Sequence, residues 1–218
     1  MNFAIQILNF NNYKVTIKAI QAIRKNHYND IDIYVLDNGS SNESYNELKK
    51  YLNSNKHNDI IALNYSKNNL GFSGGHNKIY KWIKSDSNKE YQFHLILNSD
   101  AFIPKDFFLN FIKHYYQEKK HHPIYGFRIH DTNNSGYSSV IQSWNQWFGY
   151  ARKHKKLPTS NTNIIWQYYP SGAALLLDPN YIVTLDIFDT TLFFYGDEVD
   201  LCLNLKKDGL DFKLFDDI

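Results

Sequence analysis

Three groups of oxygen-bearing side chains in this 218-residue chain have spacings that chemistry can use. The first, Asn98-Ser99-Asp100, closes the apolar run Phe93-His94-Leu95-Ile96-Leu97. That run reads as a buried strand, and continued alternation points Asn98 and Asp100 to the same side. In open α/β sheets ligands bind beyond the carboxyl ends of strands, and a carboxylate there can hold a divalent cation against a phosphate. The second is Asp37, which follows a strand-like run and precedes Asn38-Gly39-Ser40-Ser41. It either ends the strand as an Asx turn or accepts hydrogen bonds from a nucleotide base or ribose. The third is Asp197-Glu198-Val199-Asp200, three carboxylates in four positions. Acidic residues suit the first turn of a helix, and Asp197 is a capping candidate. Crowded like charges also raise the proton affinity of a carboxylate toward that of a general base.

A fourth stretch, Asn69-Leu70-Gly71-Phe72-Ser73-Gly74-Gly75-His76-Asn77, is rich in glycine. Residues without Cβ let backbone amides approach a phosphate or sugar, and a helix N-terminus favours anions. The alternative is a plain loop and helix start. The stretch lacks Gly-Lys-Ser/Thr and does not follow the first strand, so it is neither a Walker A loop nor a dinucleotide fingerprint. His76 reads as structural.

The elements that must position these groups alternate. Strands are expected over 3–8, 31–36, 60–63 and 93–97, and helices over 13–23, 43–52 and 75–84. Strands separated by helices imply a mostly parallel sheet with helices on both faces. After Asp100 the rhythm changes. Pro104 starts a helix to about Tyr116, residues 130–168 are polar and aromatic with weak periodicity, and 173–177 is an apolar strand. A helix over 197–207 and a short strand over 212–215 complete the reading. No repeat or linker interrupts it, which points to one domain over 1–218.

Composition narrows the class. Hydrophobic residues at 43% and aromatics at 17% indicate a globular protein. A net charge of +2 with scattered basic residues argues against nucleic acid as a partner. The one basic cluster, Arg152-Lys153-His154-Lys155-Lys156, reads as a solvated loop, or as a face toward anionic lipid or a phosphate-bearing acceptor. The N-terminus enters a strand pattern without a secretory signal, and no run approaches the ~20 apolar residues of a membrane span. Cys202 is the only cysteine, so no internal disulfide or cysteine-based metal cluster is available. A cytoplasmic location follows as the expectation, with peripheral contact at the inner face of the membrane as an extension of it.

Taken in order, these stretches resemble a family 2 glycosyltransferase of the GT-A fold, near its bacterial rhamnosyltransferase-like branch. Leu8-Asn9-Phe10-Asn11-Asn12-Tyr13 is similar to the opening strand and turn, and Val35-Leu36-Asp37-Asn38-Gly39 to the base-binding motif. Asn69 through Asn77 resembles the donor loop, and Leu97-Asn98-Ser99-Asp100 the Asn-x-Asp form of the metal-binding Asp-x-Asp motif. Pro170-Ser171-Gly172-Ala173-Ala174 resembles the glycine-containing strand start near the reacting sugar, and 194–205 the acidic acceptor motif.

The resemblance implies an inverting transfer from a UDP- or dTDP-sugar, with rhamnose among the candidate sugars, to a hydroxyl of a growing bacterial surface glycan or lipid-linked oligosaccharide. Residues 1–100 would form the nucleotide-sugar half and 101–218 the acceptor half. By the same resemblance, Asn9, Asp37, Asn69, Gly71, Gly74, Gly75, Asn77 and Asn98 contact the donor. Asp100 holds Mg²⁺ or Mn²⁺, Glu198 is the base ahead of Asp197, and Gly172 and Asp200 meet the sugar or acceptor. Three features depart from the family pattern. The acidic pair is Asp-Glu rather than Glu-Asp, Asn98 replaces an acid, and the sequence stops at Ile218 before a region where relatives supply a further ligand. The alternative reading is a nucleotide-sugar-binding domain with impaired catalysis. A sugar-phosphate nucleotidyltransferase is disfavoured, because Asn9-Phe10-Asn11-Asn12-Tyr13 stands where its Gly-, Arg- and Lys-bearing loop belongs.

Overall fold

Alternating apolar side chains build a sheet that is buried on both faces. In the computed structural model, which describes residues 1–54, 61–86, 89–131, 138–145, 150–154, 166–182, 184, 186–193, 195–215 and 217–218, the first strands are β1 (Phe3–Asn9) and β2 (Ile31–Asn38). They are followed by β3 (Ile61–Ser66) and β4 (Phe93–Asn98). These four strands run parallel, β1 lying between β2 and β4. Helices α1 (Tyr13–Arg24), α2 (Ser44–Ser54) and α3 (Gly71–Asp86) connect them.

On one face Phe3, Ile5 and Ile7 of β1, with Ile33, Val35, Phe93, Leu95 and Leu97, pack against Ile20 and Ile23 of α1 and Leu48 of α2. Phe107, Phe108 and Phe111 of α4 (Phe107–Gln117) close the same layer. The residues one step out of phase, Ala4, Tyr34 and Leu36, meet Ile79 and Ile83 of α3. Period-2 alternation thus divides each strand between two helical layers, which is why the strands read as nearly continuous apolar runs.

The seven-stranded sheet has the order β11-β5-β10-β4-β1-β2-β3. Its second half adds β5 (Ile124–Phe127), the antiparallel β10 (Ala174–Leu177) and β11 (Phe212–Phe215). Helix α5 (Asp197–Lys207) covers this half, with Val199 and Cys202 in a cluster that includes Tyr80, Ile96, Leu175 and Leu177. This is the mixed, mostly parallel, helix-flanked architecture that the resemblance to the GT-A fold implies. The chain steps outward from β1 to β2 and β3, then returns through α3 to place β4 on the other side of β1. A switch point therefore lies between β1 and β4, where connections diverge and leave room for a ligand.

A second, four-stranded sheet is antiparallel and occupies the stretch whose periodicity is weak. It comprises β6 (Ile129–Asp131), β7 (Ser138–Asn145), β8 (Tyr150–His154) and β9 (Trp166–Tyr169). Trp144 lies on β7 and Trp166 on β9, and residues Arg152 to His154 of the basic cluster are strand. Trp147, Lys155, Lys156 and Phe194 lie outside the described residues.

Two local expectations are corrected. The glycine-rich stretch is not a loop leading to a helix at Gly75: α3 already begins at Gly71. Nor do Asn98 and Asp100 share a side by strand alternation. Strand β4 ends at Asn98, and a turn closed by the Ala101 amide on the Asn98 carbonyl (3.0 Å) carries Ser99 and Asp100.

Candidate active site

The parallel strands end at one edge in polar residues, and the first knot there joins β1 to β2. Asn9 and Asp37 are register partners, with Asn9 Nδ2 donating to Asp37 Oδ2 at 2.7 Å. Asp37 also accepts from the Ser40 amide (3.1 Å) and the Ser40 hydroxyl (2.8 Å). Asn9 Oδ1 accepts from Thr16 of α1 at 2.7 Å. Both Asn9 and Asp37 are buried. A carboxylate held by three donors keeps its shape, so this turn is fixed before any ligand arrives. Asn11, at φ 55, extends the knot by accepting from the Ser41 amide at 2.8 Å.

On the opposite face, Asn38 ties β2 to the start of α3. Its Nδ2 donates to the Gly71 carbonyl (3.0 Å) and to Asn69 Oδ1 (3.1 Å), and its Oδ1 accepts from the Leu70 amide (3.1 Å). Asn69 Oδ1 in addition receives the Gly71 amide at 2.9 Å.

The glycines here serve close packing. Gly71 has φ +70, and a Cβ on it would lie 2.2 Å from the Phe193 carbonyl oxygen. A Cβ on Gly75 would lie 2.8 Å from Leu8 of β1, so its absence lets α3 seat against the sheet. Gly74 lies over Leu70, one turn back. Asn77 is buried, accepting from the Ile187 and Phe188 amides at 2.9 and 3.0 Å and donating to the Phe188 carbonyl at 2.8 Å. Its amide therefore anchors the 187–188 segment to α3.

His76, as its sequence context suggests, is structural. It is buried, with Gln6 Oε1 3.4 Å from its Nδ1, and burial pulls its pKa down to about 3.

The β4 terminus meets the residues around Gly172 through the start of β10. The Asn98 amide donates to the Ala173 carbonyl at 3.0 Å, which brings Asn98-Ser99-Asp100 beside Gly172. Asn98 is half-buried and Asp100 exposed. Gly172 is buried between the Phe72 ring and Glu198, whose Cδ would lie 3.7 Å from a Cβ there.

Glu198 is half-buried in the first turn of α5. Its proton affinity stands above that of an ordinary carboxylate, chiefly because burial disfavours the charge. Hydrogen bonds from its own and the Gly172 backbone amides oppose that rise, and the neighbouring Asp197 charge adds to it. Asp197 itself is buried and accepts from the Ser73 hydroxyl of α3. Asp200 accepts from Asn204 at 3.0 Å, one turn along the same helix.

Residues 9, 37, 69–73, 98–100, 172 and 197–198 are thus linked at the ends of β1, β2 and β4, with Asp200 in the same first turn of α5. Gly74, Gly75 and Asn77 instead pack along α3 against Leu70, Leu8 and the 187–188 segment. Asn38, Ser40 and Ser73 join the linked set without any chemical signal in their sequence context. Asn38 and Ser40 read only as turn formers beside Asp37, and Ser73 only as a small residue among glycines.

A divalent cation fits this edge in a sparse way. Among the described residues there is no group of three or more His, Cys, Asp or Glu side chains placed to hold a metal. Asp100 is an exposed carboxylate at the end of β4, and Mg²⁺ typically takes one or two protein carboxylates and completes its shell with water and substrate phosphates. The donor set is therefore of the kind that binds a cation together with a phosphorylated ligand.

The sequence profile described as "Glycosyl transferase family 2" matches residues 5–175, which contain the Asp37 turn, the start of α3, Asp100 and Gly172. The chain belongs to this family. The GT-A sheet recurs in solved structures of low sequence identity. A mannosyltransferase from Pyrobaculum calidifontis, in complex with GDP-Man and Mn²⁺, is 11% identical with a TM-score of 0.68, over 99% of this chain and 55% of that one. GalNAc-T7 with UDP, GalNAc and Mn²⁺ gives 12% identity and a TM-score of 0.73, over 98% and 42%. S. aureus TarS residues 1–349 in complex with UDP gives 16% and 0.65, over 100% and 59%. The chain thus spans about half the length of these structures. No curated protein matches the sequence. In this member of glycosyl transferase family 2, Asn9, Asp37 and Asn98 lie at the end of the sheet where the switch point lies. No helix among the described residues is long and apolar enough to cross a membrane.

Proposed function

We propose that this chain transfers a sugar from a nucleoside-diphosphate donor to an acceptor hydroxyl, with inversion at the anomeric carbon. The observation that carries the reading is the convergence of Asp37, Asp100 and Glu198 on one edge of the sheet in a member of glycosyl transferase family 2. Complexes of fold relatives with GDP-Man, with UDP and with Mn²⁺ support the donor class and a divalent cation. The sequence resemblance favours UDP or dTDP, with a deoxysugar such as rhamnose. It favours a surface glycan or lipid-linked oligosaccharide as acceptor, which a protein making peripheral contact with the inner membrane face could reach. Residues 1–100 supply the donor half and 101–218 the acceptor half.

In this reading the Asn9–Asp37–Ser40 knot presents a rigid polar turn to the base or ribose, and Asn98 steadies the ribose or donor sugar. Asp100 would hold Mg²⁺ or Mn²⁺, whose charge offsets that of the departing diphosphate. Glu198 accepts the acceptor hydroxyl's proton while that oxygen bonds to the anomeric carbon and the sugar–phosphate bond breaks. The nucleoside diphosphate leaves on the opposite face. A raised proton affinity suits this task, because a carboxylate of ordinary acidity is a weak base at neutral pH.

A panel of UDP-, dTDP- and GDP-sugars, each with Mn²⁺, is expected to raise the melting temperature for one donor well above the others. A flat response across the panel would contradict donor binding.

A further inference from the structure

The first turn of α3 braces the start of α5 from behind. Ser73 is fully buried, and its hydroxyl donates to Asp197 Oδ1 across 124 residues of chain. One residue earlier, the Phe72 amide donates to the Phe193 carbonyl at 3.1 Å. The Phe72 ring lies 3.2 Å from where a Gly172 Cβ would stand, and Gly172 lies in turn against Glu198. These contacts close a loop: α3 holds Asp197 and Gly172, and Glu198 sits between them. Asp197 is 3% exposed and its carboxylate is engaged by Ser73, whereas Glu198 reaches Gly172 beside the β4 terminus.

We propose that Ser73 is a positioning residue: by holding Asp197 it fixes the first turn of α5, and with it the placement of the Glu198 carboxylate against Gly172. The inference rests on the reading of Glu198 as the acceptor-side base. Without the Ser73 hydroxyl, the Asp197 carboxylate would remain buried without that donor, a costly arrangement. Rotation of Asp197 toward solvent relieves it and carries the adjacent Glu198 off its seat. The hydroxyl is the active feature, since alanine fills nearly the same space.

The test is a carboxyl titration by NMR of the full chain labelled with ¹³C-glutamate, with Glu198 assigned by its loss in Glu198→Gln. The groups acting on Glu198 are its own and the Gly172 backbone amides and the Asp197 charge, and Tyr169 of β9 and Cys202 of α5 are close enough to feel the Glu198 charge. In Ser73→Ala the Glu198 midpoint is expected to fall by about half a pH unit or more as the carboxylate gains solvent, and the Gly172 amide is expected to stop following that titration. Ser73→Thr retains the hydroxyl and is expected to restore both signals. Unchanged Glu198 and Gly172 titrations in Ser73→Ala would overturn the proposal, even with a lower melting temperature. If Ser73→Ala does not fold, Ser73→Cys, a weak donor of similar size, is read against the same two outcomes. Full transfer activity in Glu198→Gln would instead overturn the base assignment, leaving the effect of Ser73 on carboxyl placement as measured.

Discussion

Glu198 and Asp197 are neighbours in sequence with opposite surroundings. Asp197 is buried against Ser73, while Glu198 meets the Gly172 amide at the edge where β4 ends. Glu198→Gln is expected to lower transfer by about 10²–10⁴-fold while donor affinity is retained. The same substitution is expected to raise thermal stability at neutral pH. Because the folded-state affinity of Glu198 for its proton exceeds the unfolded one, its favourable contribution is present at low pH and lost as pH rises through the folded midpoint. Melting curves of both proteins from pH 4 to 8 check this: the variant should gain most at the alkaline end. A gain confined to the acidic end would contradict the burial account. At this scale Asp37, Asp100 and Glu198 stand out in the sequence as candidates because acids follow strand ends or open a helix. Asn38 and Ser73 could not, since their partners lie 33 and 124 residues away and only the fold reveals them.

Helix α3 carries the largest correction at the scale of elements. Its glycines suggest a phosphate-cradling loop, yet Gly71 and Gly75 let the helix approach Phe193 and Leu8. Glycine removes a side chain in either case, and sequence alone does not say whether backbone, sheet or ligand fills the space. Gly75→Val is therefore expected to act on packing, lowering the melting temperature by pushing α3 off β1 and weakening donor binding only as a consequence. Donor affinity lost at unchanged stability would point to direct contact instead. On the other face, Phe111 of α4 meets Phe3, Phe93, Tyr125, Phe127 and Phe215. Phe111→Ala is expected to cost about 3–5 kcal/mol in denaturant unfolding. The bounds of α5 and β11 could be read directly, because an acidic first turn and a short apolar run are local signals. Strands β6 to β9 could not, because cross-strand pairing defines them without a continuous apolar run.

For the whole molecule, alternating strands and helices foretold a parallel sheet covered on both faces. The antiparallel β10 was legible only as a strand, since orientation depends on how the intervening chain returns. Two histidines sit inside this sheet's α3 face. His76 and His94 lie on either side of Gln6, and burial lowers both to about 3. Their unfolded value is near 6.5, so the unfolded chain binds protons first as pH falls. The stability they confer is complete above about pH 6.5 and is lost progressively toward pH 3. Urea midpoints measured across that window should fall with acid, and His76→Gln with His94→Gln should flatten the decline. An equally steep decline in the double variant would assign acid sensitivity elsewhere.

We propose that this edge of the sheet binds a nucleoside diphosphate through a cation held by Asp100. Calorimetric titration of the wild type and Asp100→Ala with UDP and with dTDP, each with and without Mn²⁺, tests it most directly. Binding by the wild type should depend on Mn²⁺, and Asp100→Ala should lose that dependence together with most of the affinity. Metal-dependent binding of unchanged strength in Asp100→Ala would mean that Asp100 does not hold the cation.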